Sequence, residues 1–184
     1  SPTKFQRSAF PQIYQERISV IHDGIDTDRL KPMQSKIKAV MPNGKTLEQK
    51  DKIITFVNRS LEPYRGIETL IKAIPYIQEQ DKEAELVIVG DERGSSYGAG
   101  PREGTWKDKY LEDISGHYSR DRVHFVGHVG YNEYIALLQM SSCHIYLTYP
   151  FVLSWSMLEA MSTGLCVIGS GTSPVTEILS DGEN

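Results

Sequence analysis

The stretch "KIITFVNRSLEPYRGIETLIKAI" (Lys52–Ile74) carries the fold in miniature. It opens on "KIITFVN", a nearly continuous apolar run, the pattern of a strand covered on both faces. Its close sets Ile67, Leu70, Ile71 and Ile74 at offsets 0, 3, 4 and 7, one face of a helix. Between them "NRSLEPYRG" makes a turn that carries two arginines. Pro75 follows at once and is expected to interrupt or end the helix.

The same rhythm extends outward in both directions. "RISVI" (17–21), "ELVIVG" (85–90), "RVHFVG" (122–127), "HIYLTY" (144–149) and "LCVIGS" (165–170) read as further strands. Segments 106–118, 132–141, 156–163 and 174–180 read as helices. Strands and helices alternating at this spacing predict an α/β fold, a Rossmann-like parallel sheet with helices on both faces. Two regions break the pattern. Residues 31–51 are polar and punctuated by Pro and Gly, so a surface loop is expected there. Residues 91–105, "DERGSSYGAGPREGT", are too rich in glycine and charge for regular structure.

Composition narrows the class. The 184 residues suit one domain, and 39% hydrophobic content suits a folded protein. A net charge of −4 offers no bulk positive field for nucleic acid or anionic lipid. An anion must be held by local groups. Cys143 and Cys166 belong to no metal-spaced pattern, and two free buried thiols are expected. The five histidines show no zinc spacing; His124 and His144 fall within strands, where packing or hydrogen bonding explains them. Neither a run of transmembrane length nor a signal-peptide pattern is read in these residues.

In open α/β sheets ligands sit beyond the carboxyl ends of the strands. After strand 52–58, Arg59 and Arg65 flank the start of a helix, where guanidinium groups and helix dipole favour the same anion. The competing reading pairs Arg65 with Glu62 or Glu68 on a solvated face. After strand 144–149, Ser156 and Glu159 fit a capping box. Yet that helix N-terminus would also offer free N–H groups to a phosphate. Spacing alone leaves Glu159 open between a cap and a ligand-holding role. "GSGTSP" (169–174) begins like a dinucleotide fingerprint, but proline stands in place of the third glycine.

Taken in order, these segments resemble a known family. "VIHDGIDTDRLKP" is similar to the segment opening the C-terminal domain of family 4 retaining glycosyltransferases. "FVNRSLEPYRGIETLIKAI" resembles their strand–loop–helix with its paired cations. "ELVIVGD", "RVHFVGHVGYNEYIALLQMSSCHIYLTY" and "SWSMLEAMSTGLCVIGSGTSPVTEILSDGEN" follow in the family's order. The resemblance implies the donor-binding half of a GT-B fold. A nucleotide-sugar donor would be one partner and the N-terminal domain of the same protein another.

Roles follow by position. The resemblance puts Arg59 and Arg65 on the diphosphate, Arg65 standing where lysine is usual. It puts Glu159 on the ribose hydroxyls, as the second glutamate of the E-x7-E motif. Val152, Leu153 and Ser154 fall where backbone amides meet the distal phosphate and sugar, and Gly127, His128 and Val129 beside the base. The first glutamate of that motif, which contacts the donor sugar, is replaced here by Phe151. The implied activity is retaining transfer, with no metal and no cofactor beyond the donor. The alternative is a degenerate domain that binds nucleotide without transfer, and a flavodoxin-like or receiver-type module ranks last. Residues 1–17 are expected to be the tail of the N-terminal domain and a linker. Residues 18–184 are expected to form the nucleotide-sugar-binding domain, cut before its last strand and inactive by itself. The expected location is cytoplasmic, with any peripheral membrane attachment left to the other half.

Overall fold

The structure, a computed structural model, describes residues 1–33, 36–94 and 97–184. Two short helices, α1 (Lys4–Ser8) and α2 (Gln12–Gln15), precede a hairpin of β1 (Lys38–Val40) and β2 (Thr46–Glu48). The main body follows as β3 (Ile53–Ser60), α3 (Ile67–Gln80), β4 (Glu85–Asp91), α4 (Trp106–Asp113), β5 (Val123–Gly127), α5 (Tyr131–Met140), β6 (Cys143–Tyr146), α6 (Trp155–Ser162) and β7 (Cys166–Gly169). The five strands of the body form one sheet in the order β5-β4-β3-β6-β7, every pairing parallel. The α/β, Rossmann-like expectation is met.

The apolar runs explain the layers. Along β4, Leu86 and Ile88 face a core shared with Ile67, Leu70, Ile71 and Ile74 of α3 and Tyr110 of α4. Val87 and Val89, one residue out of phase, face Leu137 and Met140 of α5. Alternate side chains of a strand point to opposite faces, so a continuous apolar run needs helices on both sides. This sheet has them.

Several boundaries differ from expectation. Residues 17–21 are not a strand; Ile21 N–H instead donates to the Ser1 carbonyl at 2.9 Å. The segment packs along the chain start and finds no sheet partner, so its β propensity goes unused. The expected loop 31–51 contains the hairpin, anchored by Met41 and Leu47 in the α5-side core. Helix α3 runs through Pro75 to Gln80. Its buried face, which includes Gln78 bonded both ways to the Ser119 backbone, outweighs the roughly 3 kcal/mol an interior proline costs. Helix α4 stops at Asp113, and segment 174–180 reduces to a 3-10 turn over Val175–Glu177. Of the expected loop 91–105, Ser95 and Ser96 lie outside the described residues.

Candidate functional site

Each parallel strand delivers its following loop to the same end of the sheet, so chain direction alone gathers the candidate residues there. Past β3 the chain turns through a 3-10 helix, Pro63–Arg65, and enters α3 at Gly66. Gly66 has φ +76°, and a Cβ there would lie 2.3 Å from the Leu147 Cβ. Only glycine lets this turn sit against the strand end of β6.

Arg65 is drawn inward by that turn. Its Nε lies 3.8 Å from Glu62 Oε1, and Glu62 is fully buried. The sequence alternative that paired Arg65 with Glu62 is thus partly realised, though inside the protein rather than on a solvated face. Glu68 pairs with Lys72 instead. The Arg65 guanidinium also lies over two rings, 5.4 Å from the centroid of Tyr97 and 5.2 Å from that of Phe151. Its Nε is buried and makes no hydrogen bond among the described residues. Arg59 is exposed at the register shift of β3 against β4, between Val57 and Ser60. Among the described residues no hydrogen bond or ring contact joins it to Arg65 or Phe151.

The turn from β6 into α6 supplies the helix start. Ser154, not Ser156, is the N-cap; its Oγ accepts the Ser156 N–H at 3.4 Å. Tyr146 Oη accepts the Ser154 N–H at 3.0 Å and donates to the Val152 carbonyl at 3.4 Å. Leu153 turns its side chain into the core beside Met157. Val152 is exposed. The first turn of α6 leaves N–H groups without intrahelical acceptors, as every helix start does.

Glu159 is not part of a capping box. Buried inside α6, its carboxylate accepts from Tyr131 Oη at 2.9 Å and from Tyr134 Oη at 2.6 Å. No cation is paired with it among the described residues. Burial first, and then the bond to Glu159, push both phenols above their ordinary range. They therefore stay protonated and donate. Outside this pair, the Arg29 guanidinium covers the Tyr131 ring at 4.6 Å and donates to Asn132 Oδ1 at 2.6 Å.

Beyond β5, Gly127 adopts φ +67° and turns the chain. His128 and Val129 then line a cleft of about 510 Å³. Its opposite wall is the hairpin segment Ile37–Pro42, and α5 closes it with Glu133, Ala136 and Leu137. Among the described residues no group of three or more His, Cys, Asp or Glu is gathered as metal ligands would be.

Sequence reasoning missed three features here. The hairpin wall was taken for loop, because its three-residue strands are too short to show alternation. Tyr131 and Tyr134 were passed over, although their spacing of three puts both on one helix face. Tyr64, Tyr97 and Tyr149 come from three separate loops, and no local pattern announces their meeting.

Comparison with known proteins agrees with this architecture. The sequence model for "Glycosyl transferases group 1" matches residues 38–184, and that for "Glycosyl transferase family 4 group" matches residues 1–30. The chain is 28% identical over 170 residues to the uncharacterized glycosyltransferase MJ1069 of Methanocaldococcus jannaschii, covering 91% of this chain and 38% of that protein. Its fold is similar to the C-terminal domain of a glycosyl transferase group 1 family protein (LpcC) from Francisella tularensis. That match has a TM-score of 0.65 at 19% identity, over 88% of this chain and 77% of that one. Sucrose-phosphate synthase from Thermosynechococcus elongatus aligns with a TM-score of 0.63 at 21% identity, over 90% and 40% of the two chains. With its family model matched over most of its length, on a five-stranded parallel sheet of the kind seen in GT-B C-terminal domains, the chain belongs to the group 1 glycosyl transferases.

Proposed function

We propose that this chain is the donor-binding half of a retaining glycosyltransferase and that a nucleoside-diphosphate sugar lies across the carboxyl end of its sheet. The observation that carries the reading is Glu159, a buried carboxylate without a cation, aimed by two phenols. Each carboxylate oxygen can accept more than one hydrogen bond. A vicinal diol, such as a ribose offers, fits the capacity that Tyr131 and Tyr134 leave open. In this reading the base occupies the cleft beside His128 and Val129, with Gly127 providing the turn. The diphosphate meets Arg59, Arg65 and the N–H groups at the start of α6, including the backbone of Val152, Leu153 and Ser154.

Transfer breaks the bond between the anomeric carbon and the distal phosphate oxygen, and negative charge grows on the leaving diphosphate. Donors already in place around that oxygen stabilise the charge without reorganising. Arg65 is well set for this. Stacked on two rings and facing Glu62, it has few conformations to lose, and its fork can hold two oxygens at once. The acceptor and its site are assigned to the N-terminal domain, and closure of that domain would expel water from the reacting centre. The scheme draws on arginine and helix dipole for charge and calls on no metal. Among the described residues no helix is long and apolar enough to cross a membrane.

A binding-only domain is the second reading, favoured by Phe151 lying over Arg65 where a sugar-reading carboxylate is expected. Titration calorimetry of the intact protein with UDP, GDP and ADP, beside the Glu159→Gln variant, tests both. Selective binding of one nucleotide, weakened by the substitution, supports a donor site. Absence of binding by folded protein removes it. Binding without sugar transfer to any acceptor or to water favours the second reading.

A further inference from the structure

Two cysteines meet at the amino end of the sheet, away from the site described above. Cys143 opens β6 and Cys166 opens β7, and the parallel register sets them directly opposite each other. Residues paired in this way lie on one face of the sheet, on strands about 4.8 Å apart. Their thiols share a hydrogen bond. Both are free, but neither has the burial expected from the sequence: Cys143 is half-buried and Cys166 is exposed. Cys143 also lines a hollow of about 510 Å³ with Ile54, Tyr76 and Ile77, so it stands at the rim of the core rather than inside it.

We propose that Cys143 and Cys166 form a dithiol site that a low-molecular-weight disulfide oxidises to an intrachain disulfide between β6 and β7. The spacing of neighbouring strands falls inside the Cα range that a disulfide bridges, about 4.4–6.8 Å. The adjustment that closing demands falls on β7, the edge of the sheet among the described residues, which starts just after the turn at Gly164. A metal ion is the other occupant that paired thiols suit, but zinc takes four ligands. Among the described residues no third His, Cys, Asp or Glu joins these two. Two exchange steps close the bridge. The exposed Cys166, as thiolate, attacks one sulfur of the small disulfide, so that a mixed disulfide forms and one small thiolate leaves. Cys143 then gives its proton to water, attacks Cys166 Sγ and expels the second small thiolate. Two protein thiols are oxidised and one small disulfide is reduced. Burial first, and then the neighbouring Cys166, push the Cys143 thiol up to about 11, which leaves the first attack to Cys166. Proximity favours the second step, because the sulfur that Cys143 attacks is already held beside it.

This site is independent of the donor-site reading. The experiment treats the intact, folded protein with glutathione disulfide, alkylates the remaining thiols and identifies the products by peptide mass spectrometry. The expected result is loss of both thiols, with the peptide of Cys143 linked to that of Cys166 inside one chain. Dithiothreitol should return both thiols. In Cys143→Ser the reaction should stop at the first step, leaving a stable glutathione adduct on Cys166. Three outcomes in the wild type overturn the proposal: an adduct that persists on Cys166 while Cys143 stays free, a link between two chains, or no reaction of either thiol. The wild-type protein supplies the deciding result, so the test does not depend on the variant folding.

Discussion

Two buried glutamates at opposite ends of the sheet have been treated in opposite ways. Glu85, at the start of β4, is bonded on one side by Lys45 of the hairpin and on the other by His124 Nε2 at 2.8 Å. Each of its oxygens bonds a group that ties the hairpin or β5 to β4, and one of the two, Lys45, is a cation. Glu159 is almost as buried, yet among the described residues its carboxylate bonds two neutral phenols and no cation. A buried carboxylate without a cation is expensive. The contrast separates a glutamate that holds the hairpin to the sheet from one for which we propose a ligand outside the chain.

The comparison can be broken most forcefully at Glu85. Glu85→Ala strands Lys45 and His124, and unfolding in urea should show a loss of about 3 kcal/mol, the lower end for a broken buried pair because Lys45 can turn to water. Nucleotide affinity per folded molecule should not move. A loss of affinity with stability intact would reverse the roles assigned to the two glutamates.

His144 sharpens the same contrast by pH. It is fully buried, and burial lowers its pKa from 6.5 to about 4. The unfolded chain therefore takes up the proton first as pH falls. Stability from the neutral ring is complete above about pH 6.5 and is lost progressively down to about pH 4, to a total of about 3 kcal/mol. Urea midpoints measured across this window should fall with acid, and His144→Gln should flatten that slope. An equally steep slope in the variant would place the titration elsewhere.

At Glu159 the expected effect passes from stability to binding. Glu159→Gln removes an uncompensated buried charge, so the unfolding midpoint should hold or rise. Nucleotide affinity should drop about ten- to hundredfold, the worth of hydrogen bonds to a charged acceptor. A clear loss of stability with affinity unchanged would make Glu159 a structural residue like Glu85. The smallest effect is expected at the α6 cap, where Ser154→Ala should cost about 1 kcal/mol by urea unfolding. Ser156→Ala should cost less, since Ser156 lies inside the helix; the reverse order would restore the capping box read from sequence.

The main body was legible because its signals are local and periodic. The run "ELVIVG" and the offsets of Ile67 to Ile74 are each sufficient to name an element, and each was placed correctly. Segment 17–21 reads equally well as a strand and is none, since a strand exists only where another can pair with it. Hairpin strands of three residues lie below the length at which alternation can be counted. The site divides in the same way. Arg59 and Arg65 stand out as candidates because strand ends and helix starts favour anions, whereas spacing alone leaves Glu159 open between a cap and a ligand-holding role. What Glu159 touches could not be read, because Tyr131 and Tyr134 lie 28 and 25 residues away along the chain.

The sequence by itself determined the parallel sheet and the helices on both its faces, since apolar period and chain direction are properties of short segments. Only the tertiary structure decided that Ser154 caps α6, that Glu159 is held by phenols, and that Arg65 lies under a strip of rings drawn from three loops. The last two are meetings between residues far apart in the chain. Their energies depend on distance and burial, and neither exists until the strands have taken their places.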